Sequence, residues 1–194
     1  MNRLLVVIVS VGLLVAAVVG SNYLRSTLKP SLPVIESLGG DFSLPSTVNG
    51  ITTLSEFEGQ VVLLNFGFTS CPDVCPTVLS KIRVIMETLG EHNSAVQPLF
   101  ITIDPDRDSI EKLNSYLPYF HPSIIGLRGN EKQLAEVAEQ YKVLYQKENI
   151  DSELGYGFLH NDHIYLIDQQ GRVRAMYSGS VKMDTIIEEV KTLL

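Results

Sequence analysis

One stretch constrains this chain more than any other: residues 61–89, VVLLNFGFTSCPDVCPTVLSKIRVIMETL, which hold both of its cysteines. Val61, Val62, Leu63 and Leu64 form a continuous apolar run leading into Phe66 and Phe68. Such a run, with β-branched residues, predicts a strand buried on both faces in the middle of a sheet. Beyond Cys71-Pro72-Asp73-Val74-Cys75-Pro76, the apolar residues Val78, Leu79, Ile82, Ile85, Met86 and Leu89 recur at spacings of three and four, and Gly90 ends the pattern. That spacing predicts an amphipathic helix with a glycine at its end. The two cysteines therefore sit where a buried strand turns into a helix.

This position has chemical consequences. Unpaired N–H groups and the dipole at a helix start favour negative charge, so a thiol there loses its proton more easily. A C-x-x-x-C spacing with the second cysteine in the first turn can bring both sulfurs onto one face, where they can close a disulfide or grip one metal ion. Two thiolates suit Cu(I) or zinc better than magnesium or calcium. The plain alternative is a buried or disulfide-stapled pair without activity.

Three of the 15 basic residues (Arg3, Arg25 and Lys29) and none of the 22 acidic ones lie in the first 29 positions. The rest of the chain is therefore strongly acidic, which argues against nucleic acid as a partner. Two cysteines allow at most one internal bridge, so this is not a disulfide scaffold. Leu4 to Gly20 is nearly unbroken Leu, Val, Ile and Ala, continued more weakly to Leu24. The length reaches what a membrane span needs, and Ala16, Ala17 and Gly20 also leave a cleaved signal open. We read residues 1–3 as a short tail, 4–24 as a transmembrane anchor, 25–40 as a linker and 41–194 as the globular domain. The reactive-looking cysteine pair places that domain outside the cytoplasm.

Within the domain, Asn49-Gly50 between apolar residues predicts a hairpin turn. Leu99 to Ile103 reads as a second buried strand, followed by the loop Asp104-Pro105-Asp106-Arg107-Asp108. Asp108 with Glu111 resembles a capping box for a helix to about Phe120, and the acidic cluster reads as cap plus solvated loop. Carboxylates alone would attract harder ions than the cysteines do. A short strand at 124–127, a helix capped by Asn130, pairing of Val143–Tyr145 with the sheet, a polar excursion or hairpin at 146–157, a hairpin of 164–167 with 173–177 and a final helix complete the pattern. The order predicts an α/β fold of the thioredoxin type, a central mixed sheet flanked by helices.

A third soft-metal ligand would have to come from elsewhere in the chain, which has four histidines. His92 lies in a polar segment and His121 precedes a proline at a helix end. His160 and His163 flank the start of the strand at 164–167. His160 sits in the preceding loop, free to reach a neighbouring loop, and His163 shares strand parity with Tyr165 and Ile167.

Four segments resemble the Sco/SenC family of copper-handling thioredoxin-like proteins: Asn65-Phe66-Gly67-Phe68-Thr69-Ser70-Cys71-Pro72-Asp73-Val74-Cys75-Pro76; Ile103-Asp104-Pro105-Asp106-Arg107-Asp108; Phe120-His121-Pro122-Ser123-Ile124-Ile125-Gly126-Leu127; and His160 five residues before Tyr165-Leu166-Ile167-Asp168. The resemblance implies copper binding by Cys71, Cys75 and His160. It also implies delivery to the copper-bearing subunit of cytochrome c oxidase or to another copper carrier. The short anchor without a transit-like extension suits a single-pass protein of a bacterial inner membrane, its domain facing the periplasm or outside. The family usually places an acidic residue before the ligand histidine and often a histidine before the first cysteine. Here those positions are Leu159 and Ser70, and the nearest Asp-His pair is Asp162-His163, which keeps His163 as a rival ligand. Two other functions remain open on the cysteine pair alone. One is a thiol–disulfide oxidoreductase that reduces partner cysteines; the other is a peroxide-reducing thiol protein.

Overall fold

In the computed structural model, residues 32–48, 50–151 and 155–194 are described. The segment read as a membrane anchor and Asn49 of the turn signal lie outside them. Among the described residues no helix is long and apolar enough to cross a membrane.

The chain opens with a small hairpin of β1 (Ser43–Pro45) and β2 (Ile51–Thr53), with Leu44 opposite Thr52. Next comes β3 (Val61–Gly67), the central strand of a five-stranded sheet, and every residue of it is buried. On one side β3 pairs in parallel with β4 (Val96–Thr102), which pairs in parallel with β5 (Ile125–Leu127). On the other side β3 pairs antiparallel with β8 (Ile164–Ile167), which pairs antiparallel with β9 (Val173–Tyr177). The sheet is therefore mixed, as the sequence predicts.

Strand parity sorts the core into two layers. Val62, Leu64 and Phe66 join Phe42, Leu44, Tyr141 and Tyr165 on one face. Val61 and Leu63 join the apolar stripe of α1 (Val74–Leu89) on the other, with Leu113 of α2 (Ile110–Tyr116) and Ile186 and Val190 of α4 (Met183–Leu193). The predicted inner face of α1, from Val78 to Leu89, is buried throughout. The helix α3 (Glu131–Gln140) begins at Asn130, whose side chain accepts from the Gln133 amide while the Gln133 side chain answers, a complete capping box. Residues 32–40, within the stretch read as linker, are bonded to this body: the Ile35 amide donates to the Val173 carbonyl and the Gly39 amide to that of Gln140.

Two expectations differ from what forms. Ser109, not Asp108, caps α2, its hydroxyl accepting from the Lys112 amide. Asp104 and Asp108 are 1% and 0% exposed, so of the acidic cluster only Asp106 is solvated. Tyr145 does not join the central sheet either. It begins β6 (Tyr145–Asn149), which pairs antiparallel only with β7 (Tyr156–His160) in a separate two-stranded ribbon. The reason is composition: Gln146, Lys147, Glu148 and Asn149 have no place in a sheet covered on both faces.

Candidate metal centre

The site forms at the carboxyl end of β3, where the chain must leave the sheet and start α1. Phe68, Thr69 and Ser70 make the bridge, closed by a bond from the Cys71 amide to the Phe68 carbonyl. Cys75 is the second residue of α1. Pro76 follows in the first turn, where a missing N–H costs nothing. Cys71 is half-buried and Cys75 buried, and both are free thiols.

The sulfur of Cys71 accepts from the Cys75 amide at 3.5 Å. The sulfur of Cys75 lies 3.6 Å from Nε2 of His160. The three ligand-type atoms all fall within 4.8 Å of one another. The other ring nitrogen of His160, Nδ1, lies 3.0 Å from the Asn161 carbonyl. A carbonyl can only accept, so in the neutral ring Nδ1 carries the proton and Nε2 is left with the lone pair that a metal ligand needs.

The two thiols titrate as a pair. The Cys75 thiol donates to the Cys71 sulfur, and this contact is the main cause that brings Cys71 down to about 3, against the cost of its partial burial. The same contact, with burial, pushes Cys75 up. Ionisation is therefore favoured at Cys71, where the Asp73 and Cys75 amides also face the sulfur, and disfavoured at Cys75.

Two neighbours shape the pocket. A Cβ at Gly67 would stand 2.9 Å from the Cys75 sulfur and 3.0 Å from the Phe100 ring, so only glycine leaves that sulfur its space. Beneath the bridge lies Asp108. Its carboxylate accepts from the Thr69 amide (2.9 Å), the Thr69 hydroxyl (2.5 Å) and the Thr102 hydroxyl (2.7 Å). Lys112 reaches it at 3.3 Å.

The histidines separate cleanly. His160 is the last residue of β7 rather than a loop residue, and its ring meets Phe68 edge-on at 5.8 Å. His163 is elsewhere: its carbonyl accepts from the Asn65 side chain at 2.9 Å and its ring packs against Tyr165. Asp162, the acidic half of that pair, accepts from the Gly179 amide at 3.0 Å. Nδ1 of His121 bonds Ser123. Leu159 points away from the cluster and is 61% exposed. Sequence reasoning missed Gly67 and Asp108 as parts of the site. The signal for the first was a glycine inside an otherwise apolar strand; the second carried none.

Known proteins resemble this chain over most of its length. A family model described as SCO1/SenC matches residues 33–194. The chain is 39% identical over 182 residues to the SCO2-like protein of Rickettsia felis, covering 88% of each. Among solved structures it resembles ScoI of Bradyrhizobium japonicum with copper bound, at a TM-score of 0.74 and 31% identity, covering 81% of this chain and 99% of that one. It also resembles yeast Sco1 with copper bound, at a TM-score of 0.70 and 35% identity, covering 81% and 91%.

Proposed function

The chain belongs to the SCO1/SenC family, and from that premise we propose that it is a copper chaperone binding its cargo through Cys71, Cys75 and His160. The observation that carries this reading is the convergence of two sulfurs and one imidazole nitrogen within 4.8 Å. Two soft sulfurs favour Cu(I), and the imidazole is a ligand that also accommodates Cu(II). Loading requires both sulfurs to be free of protons, so copper and protons compete for them. Exchange with an oxidised partner disulfide, which takes up the two electrons and leaves as a dithiol, turns both thiolates into a disulfide and so releases the metal. The apolar segment at 4–24 would tether the domain outside a bacterial inner membrane. The family resemblance gives assembly of the cytochrome c oxidase copper centre as the purpose of the delivery.

The test is a Cu(I) titration of the full chain in detergent, reduced and then disulfide-oxidised. The reduced protein is expected to take one copper per chain, and the oxidised protein none. Equal uptake by the two forms, or none by the reduced form, contradicts the reading.

A second reading has its own support in the asymmetry of the thiols: Cys71 is half-buried and the more easily ionised, while Cys75 is buried and its ionisation is disfavoured. That is the arrangement of an attacking and a resolving cysteine. The Cys71 thiolate would attack a partner disulfide, displacing one partner sulfur as a thiolate. Cys75 would then lose its proton and attack the mixed disulfide at Cys71, leaving the partner reduced and a Cys71–Cys75 disulfide behind. This exchange does not use His160 as a ligand, which separates it from copper carriage.

A further inference from the structure

His160 is the one member of the cluster that does not come from the strand–helix junction. It is delivered by the β6–β7 ribbon, which pairs with no strand of the central sheet. A two-stranded ribbon is marginal in water and holds its place only through what it packs on. What fixes this ribbon therefore fixes the imidazole.

Along β7, residues two apart share a face, so Tyr156, Phe158 and His160 point the same way. Phe158 meets Phe68 edge-on at 5.4 Å, and His160 meets the same ring. Tyr156, at the far end of that face, enters a clasp built on the loop after β4. Its hydroxyl donates to Oδ1 of the buried Asp104 at 2.9 Å. Nε of Arg107 donates to the other oxygen, Oδ2, of the same carboxylate. Nη1 of Arg107 donates to the Tyr156 carbonyl at 3.0 Å. The guanidinium also stands over the Tyr156 ring, 3.7 Å from its centroid, and 5.9 Å from that of Phe68. The Lys147 ammonium lies 3.7 Å from the Tyr156 ring centroid and pairs with Asp106 at 3.6 Å. A carboxylate made costly by burial is thus shared between the loop and the ribbon.

We propose that Asp104, Arg107 and Tyr156 form a clasp that holds the β6–β7 ribbon over the cysteine loop and so sets the position of His160. They are positioning residues, acting on the metal through the strand. The proposal rests on the copper reading for its functional consequence, but not for its structural part.

The test uses Tyr156→Ala, at a partly exposed position, with Tyr156→Phe as the conservative variant. Two readouts are taken on the full chain. The first is amide hydrogen exchange of the metal-free reduced protein. The clasp predicts exchange at least about tenfold faster across β6 and β7 in Tyr156→Ala, with the amides of β3 and β4 unchanged. Tyr156→Phe, which keeps the ring under Arg107, is expected to fall between. The second is Cu(I) affinity in a double-mutant cycle. Tyr156→Ala is expected to lower affinity about 10- to 100-fold, the usual cost of losing a group that orients a ligand. Combined with His160→Ala it should add nothing further, because the ligand it positions is already gone. Additive losses, or unchanged affinity in Tyr156→Ala, overturn the proposal. A wild-type chain that takes no copper defeats the copper reading instead. The clasp is then decided by exchange alone, with unchanged ribbon exchange overturning it and faster exchange upholding it.

Discussion

His160→Ala is expected to weaken Cu(I) binding by the reduced protein by about 100-fold or more, while His163→Ala leaves it within about twofold of wild type. The lower bound follows from the cost of disturbing groups that merely orient ligands, about 10- to 100-fold; removal of a ligand should reach or exceed its upper end. Two sulfurs remain in His160→Ala, so weak binding persists. The control follows from geometry. The His163 ring lies against Tyr165 and its carbonyl is bonded to Asn65, whereas Nε2 of His160 is 3.6 Å from the Cys75 sulfur. Competition against a chromophoric Cu(I) chelator measures both. Equal losses in the two variants, or a loss confined to His163→Ala, would overturn the ligand assignment. Reduction of a disulfide substrate by His160→Ala at the wild-type rate would meanwhile show that thiol exchange does not depend on the metal triad.

Asp108→Ala should be the most damaging substitution outside the triad. The side chain has no solvent exposure and accepts from the amide and hydroxyl of Thr69 and from the hydroxyl of Thr102. Truncation leaves these donors without their acceptor in a closed space, for which a loss of about 3–5 kcal/mol is expected. For a domain of this size that corresponds to a fall in Tm of roughly 10 °C. Lys112 contributes less, since its side chain is 43% exposed and solvent screens the pair. Because Thr69 lies two residues before Cys71, the same variant should also loosen the cysteine bridge and lower copper affinity. Asp108→Asn keeps one acceptor oxygen and should lose less than half as much stability. A Tm within about 2 °C of wild type in Asp108→Ala would refute the role given to this carboxylate.

The contrast between these residues shows what the sequence carries. The β3–α1 junction was legible because its signals are local: an unbroken apolar run, a 3–4 spacing, a terminal glycine. Asn130 was legible as a helix start for the same reason, since a cap lies next to the helix it starts. Asp108 was not, because its partner Thr69 lies 39 positions away and a carboxylate in an Asp-Pro-Asp-Arg-Asp stretch looks solvated until that partner is known. The strand carrying His160 was read as a loop because Gly155 and Gly157 broke its pattern, and because the residues that anchor it are on another loop. Gly67 stood out only as a glycine among apolar residues, and its meaning depends on a sulfur eight residues later. Cys71, Cys75 and His160 reached the page through motif and resemblance together. The cysteine spacing is local, but nothing short of the fold explains why the imidazole at 160 rather than 163 meets the sulfurs.

The central claim, that two sulfurs and the His160 imidazole share one copper, is tested most directly by X-ray absorption of the Cu(I)-loaded reduced protein. The expected first shell is two sulfur scatterers and one nitrogen scatterer per copper, the nitrogen disappearing in His160→Ala and persisting in His163→Ala. A wild-type shell of sulfur alone, or a nitrogen that survives His160→Ala, would contradict it.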